Sequence, residues 1–400
     1  MARLEANNNI QVARGVVKLS NGTLFLRQKG AGQEQFAYLC GEKKLSSNVI
    51  NNFITNIVHN SNYCTERAIA YRHIVFPAKP VAYKAMLSNY SIDIKPIFDN
   101  MKHGHRDVYY PKLEDLKETF YYKDDTHCSF EGSHFIIGNT LKYIGYDISK
   151  YGFTLEDKKR QGDLGSMLKL PPEVVPTLTK FEEYDKAGIM YSLKDALEKN
   201  SGEIVFNFNP HAPIKKRILL FGDSFFVGAL NWLRYLFEEV VYLRSTYILT
   251  DVANNLMPDI ILTGNAERYL TNVASFSNHT PYFTNYFSRS FSPNKLSHDT
   301  MTAFKALFSG RDSNEYNEWK STFNYKELIN LPDVELYRLM ARYPKLVDDV
   351  RDYAIKIEFF NLKQALRLMT LCSKVRPKGP YIKVKLEEYE MRLEGSRPSI

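Results

Sequence analysis

Three side chains in two stretches of this chain have the types needed for one reaction. Ser224 ends the tetrapeptide Phe221-Gly222-Asp223-Ser224, directly after the apolar run Ile218-Leu219-Leu220, so a hydroxyl is presented at the end of a buried strand. A hydroxyl is a poor nucleophile at neutral pH and needs a base, with an acidic group to orient that base. Far upstream, Asp125-Thr126-His127 offers both. Histidine is suited to taking a proton near pH 7, and a carboxylate fixes its tautomer and stabilises the imidazolium. Gly-Asp-Ser after a strand also makes an ordinary strand-to-helix turn. The upstream Asp-x-His pair favours the nucleophile reading, and the chemistry it implies is acyl transfer through an acyl-serine.

The surrounding pattern supplies elements to position these groups. Val16-Val17 and Leu24-Phe25-Leu26, on either side of Asn21-Gly22, read as a hairpin. Val49, Phe53, Ile54, Ile57 and Val58 recur at helical spacing, and His73-Ile74-Val75-Phe76 before Pro77 reads as a buried strand. Leu113 to Phe120 reads as a second helical stretch. The Asp125/His127 segment falls on a loop opening a helix that continues through Asn139 to Ile144. Asp147 to Pro213 reads as excursions around the core, because Pro171-Pro172 and Pro176 discourage regular structure. The clearest unit follows: a strand at Arg217–Phe221, a helical face of Leu230, Leu233, Phe237 and Val240, then strands at Val240–Leu243 and Asp259–Leu262. Strands alternating with helices imply a parallel sheet covered on both faces, with sites beyond the carboxyl ends of its strands. Ser224 and Asn265 both follow strand ends.

The polar stretches Ser292-Pro293-Asn294 and Arg311 to Glu318 read as linkers. Beyond them, Leu336 to Cys372 and Ile382 to Leu393 carry apolar residues at helical spacing, reminiscent of a tetratricopeptide unit. The expected division is therefore 1–290 and 291–400, the second part a helical accessory module.

With 400 residues, 44% hydrophobic and 14% aromatic, the chain can bury one large core plus a smaller one, and most of it is not disordered. A net charge of +8 favours an acidic glycan, an anionic membrane surface or nucleic acid nearby, but the basic residues are spread and form no block. Cys40, Cys64, Cys128 and Cys372 are widely separated, so neither a zinc site nor a disulfide framework is indicated. Met1 to Ile10 is polar, which reads as a cytoplasmic chain without a membrane span, or a periplasmic one if a leader has been trimmed away.

Taken in order, several segments resemble the alginate O-acetyltransferase (AlgJ/AlgX-like) branch of the SGNH/GDSL hydrolase superfamily. They are Asn21-Gly22-Thr23-Leu24-Phe25-Leu26, Val75-Phe76-Pro77-Ala78-Lys79-Pro80-Val81-Ala82-Tyr83, Tyr121 to His127 with Glu131-Gly132, Gly162-Asp163-Leu164-Gly165, Gly222-Asp223-Ser224, and Pro258 to Ile261 with Glu267-Arg268-Tyr269-Leu270. That group places Asp-x-His before the serine, as here. Triads are defined by geometry and not by chain order.

The resemblance implies an SGNH-like three-layer α/β sandwich with a mostly parallel central sheet. It also implies Ser224 as nucleophile, His127 as base and Asp125 as its orienting acid. The Ser224 backbone N–H is the first oxyanion donor, with Asn265, Arg244 and Tyr122 as further oxyanion or substrate candidates. The implied activity is O-acetylation of hydroxyls on a bacterial surface polysaccharide. Its donor would be acetyl-CoA or another acetyl donor, with no permanently bound cofactor and no metal.

The acceptor would be a polysaccharide or oligosaccharide, with polysaccharide-biosynthesis proteins met through the helical module and no nucleic acid. Where the group has tryptophan and asparagine after Asp-x-His, this chain has Cys128 and Ser129. A carbohydrate acetyl esterase and a non-catalytic glycan-binding or scaffold protein are the rival readings.

Other residues read more blandly. Cys128 is a structural cysteine, His134 and the pair His103/His105 lack a third metal ligand, and Asp223 shapes the serine turn. Glu267-Arg268 reads as an internal ion pair. Tyr109, Tyr110, Tyr121 and Tyr122 suit either packing or stacking on sugar rings.

Overall fold

The computed structural model of the chain describes residues 9–27, 34–101, 106–182, 189–193, 203–245, 247–278, 281–282, 298–322 and 328–394. The chain divides into two compact units, Met1–Phe291 and Ser292–Ile400. Among the described residues, the first unit runs through strands β1 (Ile10–Ala13), β2 (Val16–Leu19) and β3 (Leu24–Leu26), helix α1 (Ser47–Thr65), then β4 (Ala70–Phe76) and β5 (Val108–Tyr109). It continues with α2 (Phe130–Tyr143), β6 (Phe153–Arg160), α3 (Asp163–Met167), β7 (Glu173–Phe181), β8 (Ile189–Leu193) and β9 (Ile204–Phe208). It ends with β10 (Ile214–Gly222), α4 (Ser224–Leu236), β11 (Phe237–Leu243), α5 (Thr250–Leu256) and β12 (Ile260–Ala266).

Strands β5-β4-β12-β10-β11-β9-β8 form one sheet in that order. The first five are mutually parallel, and β9 and β8 continue the sheet antiparallel. This is a mixed α/β unit with a largely parallel central sheet. β10 lies at its middle, with Arg217 to Gly222 buried throughout, as a strand covered on both faces requires. Phe53 of α1 meets His73 edge-on at 5.4 Å on one face, and Phe226 of α4 meets Phe76 at 5.5 Å on the other. β11 and β12 flank β10 on opposite sides, so a crevice opens at the carboxyl end of β10, where Ser224 begins α4.

The turn there depends on glycine for close approach. A Cβ on Gly222 would lie 2.4 Å from the Gly264 carbonyl oxygen and 2.6 Å from the Phe226 ring.

Some expectations change. Leu113 to Phe120 forms two 3-10 turns, Leu113–Asp115 and Glu118–Phe120, because eight residues burying only Phe120 cannot hold a helix against the sheet. Phe237 and Val240 belong to β11: α4 stops at Leu236, and pairing with β10 overrides the helical spacing. The stretch after Asp147 is more regular than its prolines suggest. β6 and β7 form a two-stranded antiparallel ribbon in which Pro176 is tolerated opposite Asp157, since each strand of such a ribbon has a free edge.

The second unit contains α6 (His298–Phe308), α7 (Asn314–Ser321), α8 (Asp333–Arg342), α9 (Pro344–Ile357), α10 (Leu362–Val375) and α11 (Pro380–Glu394). Its core gathers Leu336, Met340, Val347, Val350, Ala365, Leu368, Met369 and Cys372. The expected linker at Arg311 to Glu318 is instead largely α7. Ser313 caps it by accepting the Tyr316 N–H at 3.0 Å, and Tyr316 and Trp319 anchor it inward. The Ser292-Pro293-Asn294 stretch lies outside the described residues.

Replacing Gly222 by alanine is expected to lower stability by about 1–3 kcal/mol through overpacking against Gly264 and Phe226. Chemical denaturation measures this, and an unchanged midpoint would contradict the close approach.

Candidate active site

Asp223 links the serine turn to the sheet. It caps α4, its Oδ1 accepting the Phe225 N–H at 2.9 Å, while its Oδ2 accepts the Ala266 N–H at the end of β12 at 2.8 Å. The Tyr242 hydroxyl donates to the Asp223 carbonyl at 3.2 Å from the other flank. Ser224 is the first residue of α4, where the backbone N–H has no intrahelical acceptor and the helix dipole is positive.

The loop bearing Asp125 and His127 comes down on this turn. His127 Nε2 lies 2.8 Å from Ser224 Oγ, and His127 Nδ1 lies 2.7 Å from Asp125 Oδ1. The same Oδ1 accepts the His127 backbone N–H at 2.9 Å, so the ring is oriented against its own main chain. Asp125 Oδ2 is ion-paired with Arg160 at the end of β6 and accepts the Asp163 N–H at 3.3 Å. Burial alone would raise the Asp125 carboxyl, but the His127 hydrogen bond and the charges of His127 and Arg160 hold it well below the usual carboxylate range. Arg160 also stacks on Tyr122, 4.1 Å from the ring centroid.

The loop is gripped from two sides. Buried Lys79 donates from Nζ to the carbonyls of Leu24 at 2.7 Å, Tyr122 at 2.7 Å, Lys123 at 2.8 Å and Asp125 at 3.1 Å. Burial pushes its ammonium down to about 7, against the pull of the Asp125 and Asp124 carboxylates. Asp124 accepts the Gly162 N–H on Oδ2 at 2.7 Å and the Gly165 N–H on its carbonyl at 2.9 Å. A Cβ at Gly162 or Gly165 would collide with Asp124 at 2.3 Å and 2.7 Å, which explains the spacing of that glycine pair. Asp163 holds Thr126, accepting its N–H at 2.8 Å and its hydroxyl at 2.6 Å.

Asp125, His127 and Asp163 offer ligand atoms within 4.8 Å of one another. Arg160 already occupies Asp125 Oδ2 and Thr126 engages both oxygens of Asp163, so this set suits an ion-paired relay better than a cation.

Ser224, His127 and Asp125 are thus brought together, with Tyr122 beside them through Arg160. Asn265 is placed elsewhere. Its Nδ2 donates to the Ala266 carbonyl at 3.0 Å, and it lies near His73 on the face opposite the Gly264–Phe226 contact, because successive strand residues alternate faces. Arg244 approaches only indirectly, through the phenol of Tyr242.

Burial raises the Cys128 thiol to about 12, so it stays protonated. His134 sits among the rings of Phe130, Phe153 and Trp232, at 5.3 to 5.4 Å, and burial lowers it to about 4. Tyr110 stacks on Phe98 at 4.6 Å, and Tyr121 donates to the Pro77 carbonyl at 2.6 Å. His103 and His105 lie outside the described residues.

Glu267 and Arg268 do not form the expected ion pair. Glu267 turns to the backbone, accepting the Ala78 N–H at 2.7 Å and the Phe98 N–H at 2.9 Å. Lys79, Arg160 and Asp163 were not singled out as site residues. A lone arginine at a strand end carries no spacing signal, whereas Lys79 and Asp163 fall within segments that carried the family resemblance.

No protein-family model matches the chain, and no curated protein does. Among solved structures it is similar to Bacillus cereus PatB1 with a sulfonyl adduct, at 15% identity and a TM-score of 0.46 over 66% of this chain and 97% of that one. It is also similar to a DHHW family protein from Eubacterium siraeum, at 12% identity and 0.43 over 72% and 99%. A third is the O-acetyltransferase domain of Pseudomonas putida AlgJ, at 16% identity and 0.41 over 69% and 100%. No helix among the described residues is long and apolar enough to cross a membrane.

Replacing Lys79 by methionine strands buried carbonyls of the loop and is expected to cost at least about 1–3 kcal/mol of stability. Denaturation measures the loss, and a wild-type value would show that the grip is dispensable. A pH effect comes from His73, which burial lowers to about 4, partly offset by the nearby Asn265 amide. Between pH ~6.5 and about 4 the unfolded chain binds a proton that the folded one refuses, so stability falls on acidification. The loss from pH 7 to 5 is roughly 2 kcal/mol for this group. His134, lowered to the same extent, adds a similar share, so His73→Gln is expected to reduce the slope by about half in denaturation at the two pH values, and an unchanged slope would remove His73 as a source.

Proposed function

We propose that this protein is an SGNH-type serine O-acyltransferase, specifically an O-acetyltransferase acting on hydroxyls of a polysaccharide or oligosaccharide. The observation that carries the reading is the continuous relay Ser224 Oγ, His127 Nε2, His127 Nδ1 and Asp125 Oδ1, with links of 2.8 and 2.7 Å. It is further supported by the order of motifs between Asn21 and Leu270.

Ser224 Oγ attacks the acyl carbonyl as its proton passes to His127 Nε2. The oxyanion forms beside the Ser224 N–H and the positive end of α4. Collapse breaks the bond to the leaving group, which takes the proton from His127 and leaves an ester on Ser224. A sugar hydroxyl then gives its proton to His127 and attacks that ester. The product is the acylated sugar, and Ser224 recovers its proton. Acetyl-CoA or another activated acetyl ester supplies the acyl group. Asp125, held ionised by Arg160, stabilises the imidazolium in both halves.

The same relay hydrolyses the acyl-serine if water arrives first, so a carbohydrate acetyl esterase is the alternative. Incubation with 4-nitrophenyl acetate, with and without an oligosaccharide, separates the two. Transfer gives acetylated sugar by mass spectrometry, and acetate release indifferent to the sugar would assign the esterase.

An arylsulfonyl fluoride is expected to label Ser224. Ser224→Ala is expected to lose both the label and about 10⁶ in kcat, and Asp125→Asn about 10⁴. Full activity in Ser224→Ala would remove Ser224 as the nucleophile and with it the acyl-serine mechanism.

A further inference from the structure

Arg268 is a guanidinium without an anionic partner among the described residues. It is nine-tenths buried, immediately past the end of β12 and beside the serine turn. Its side chain donates to no acceptor among the described residues, and its Nε is fully shielded from solvent. What it touches is aromatic: its guanidinium carbon lies 5.6 Å from the ring centroid of Phe225 and 4.8 Å from that of Tyr269.

Phe225 is the residue next to Ser224, and its ring lies 5.2 Å from that of His127. The adjacent carboxylates are committed elsewhere. Glu267 accepts the Ala78 and Phe98 N–H groups, and Asp223 accepts those of Phe225 and Ala266. A buried charge is costly unless paired, and stacking on rings offsets only part of that cost. Arg268, past the carboxyl end of β12, and the Ser224 N–H at the start of α4, past that of the neighbouring β10, lie at the same end of the sheet and both touch on Phe225, so two independent anion-favouring features stand close together.

We propose that Arg268 binds an anionic oxygen of the substrate, a carboxylate or a phosphate, carried next to the acyl group being transferred. This rests on the acyl-transfer reading above and specifies what its site selects. A guanidinium presents a planar fork that matches either anion, and charge-assisted hydrogen bonds are the strong ones. The anion comes either from the donor, as the phosphates of acetyl-CoA, or from the acceptor, as the carboxylate of a uronic acid.

The experiment compares wild type with Arg268→Gln in two arms. In the donor arm, kcat/KM for acetyl-CoA is set against that for the neutral 4-nitrophenyl acetate. In the acceptor arm, with 4-nitrophenyl acetate as donor, a uronic-acid oligosaccharide is set against its carboxyl-reduced counterpart. The substitution is expected to lower the charged-to-neutral ratio about ten- to a hundredfold in one arm, and that arm names the source. An equal loss on charged and neutral partners would leave Arg268 a mere support for Phe225 and overturn the proposal, as would unchanged ratios in both arms.

If Arg268→Gln fails to fold, inhibition of wild-type 4-nitrophenyl acetate turnover by inorganic phosphate, against chloride at equal ionic strength, decides instead. Selective inhibition supports the anion site, and equal behaviour of the two salts overturns it. Sulfonyl labelling of Ser224 in the wild type keeps the two readings apart. Without it the acyl-transfer reading falls, and with it an unchanged ratio removes only Arg268.

Discussion

One ammonium group holds the architecture of the site. The loop from Tyr122 to Asp125 meets β3 through one backbone bond, the Lys123 carbonyl accepting the Leu24 N–H at 3.1 Å, and its backbone carbonyls need further donors. Lys79 supplies them, gathering three carbonyls of that loop and one from β3 around a single nitrogen. The end of β4, the N-terminal hairpin and the His127 loop therefore meet at one atom. Asp124 completes the hold from the far side through the backbone of Gly162 and Gly165, where the absence of side chains lets two main chains touch.

The two halves of the site differ in how they are fixed. Ser224 belongs to the sheet: its position follows from β10, from the Gly222 approach to β12 and from Asp223 spanning to Ala266. His127 belongs to a loop, and its position follows from hydrogen bonds and charge. Asp125 divides its oxygens accordingly, one for the ring and one for Arg160. The ribbon of β6 and β7 thereby acquires a purpose, since the last residue of β6, Arg160, carries the cation facing the acid.

How much of this was readable along the chain depended on whether the cause was local. β10 announces itself by an unbroken apolar run, and the turn at Ser224 by glycine and a capping aspartate, all within a few residues. The two-residue spacing of Asp125 and His127 was equally plain. The pairing of β6 with β7 was not, because charges in β6 and Pro176 in β7 obscure both strands, and that of β9 with β11 was not, because its antiparallel partner lies some way along the chain beyond β10 and α4. Asn265 misled for a related reason: β12 runs on to Ala266, so Asn265 lies within the strand, and alternation turns it away from α4. Glu267 and Arg268 misled because adjacency suggests pairing, whereas neighbouring residues point apart and each found its surroundings separately.

The bond from Asp125 Oδ1 to both the main chain and the ring of His127 closes a loop only three residues long. Base and orienting acid are therefore a self-contained cartridge, aligned internally before they meet the nucleophile. What remains to be specified is only the seat into which the cartridge is pressed. Such a unit is indifferent to whether it is translated before or after the strand it serves, so the same chemistry survives a reshuffling of chain order that would dismantle a site assembled from three independent elements.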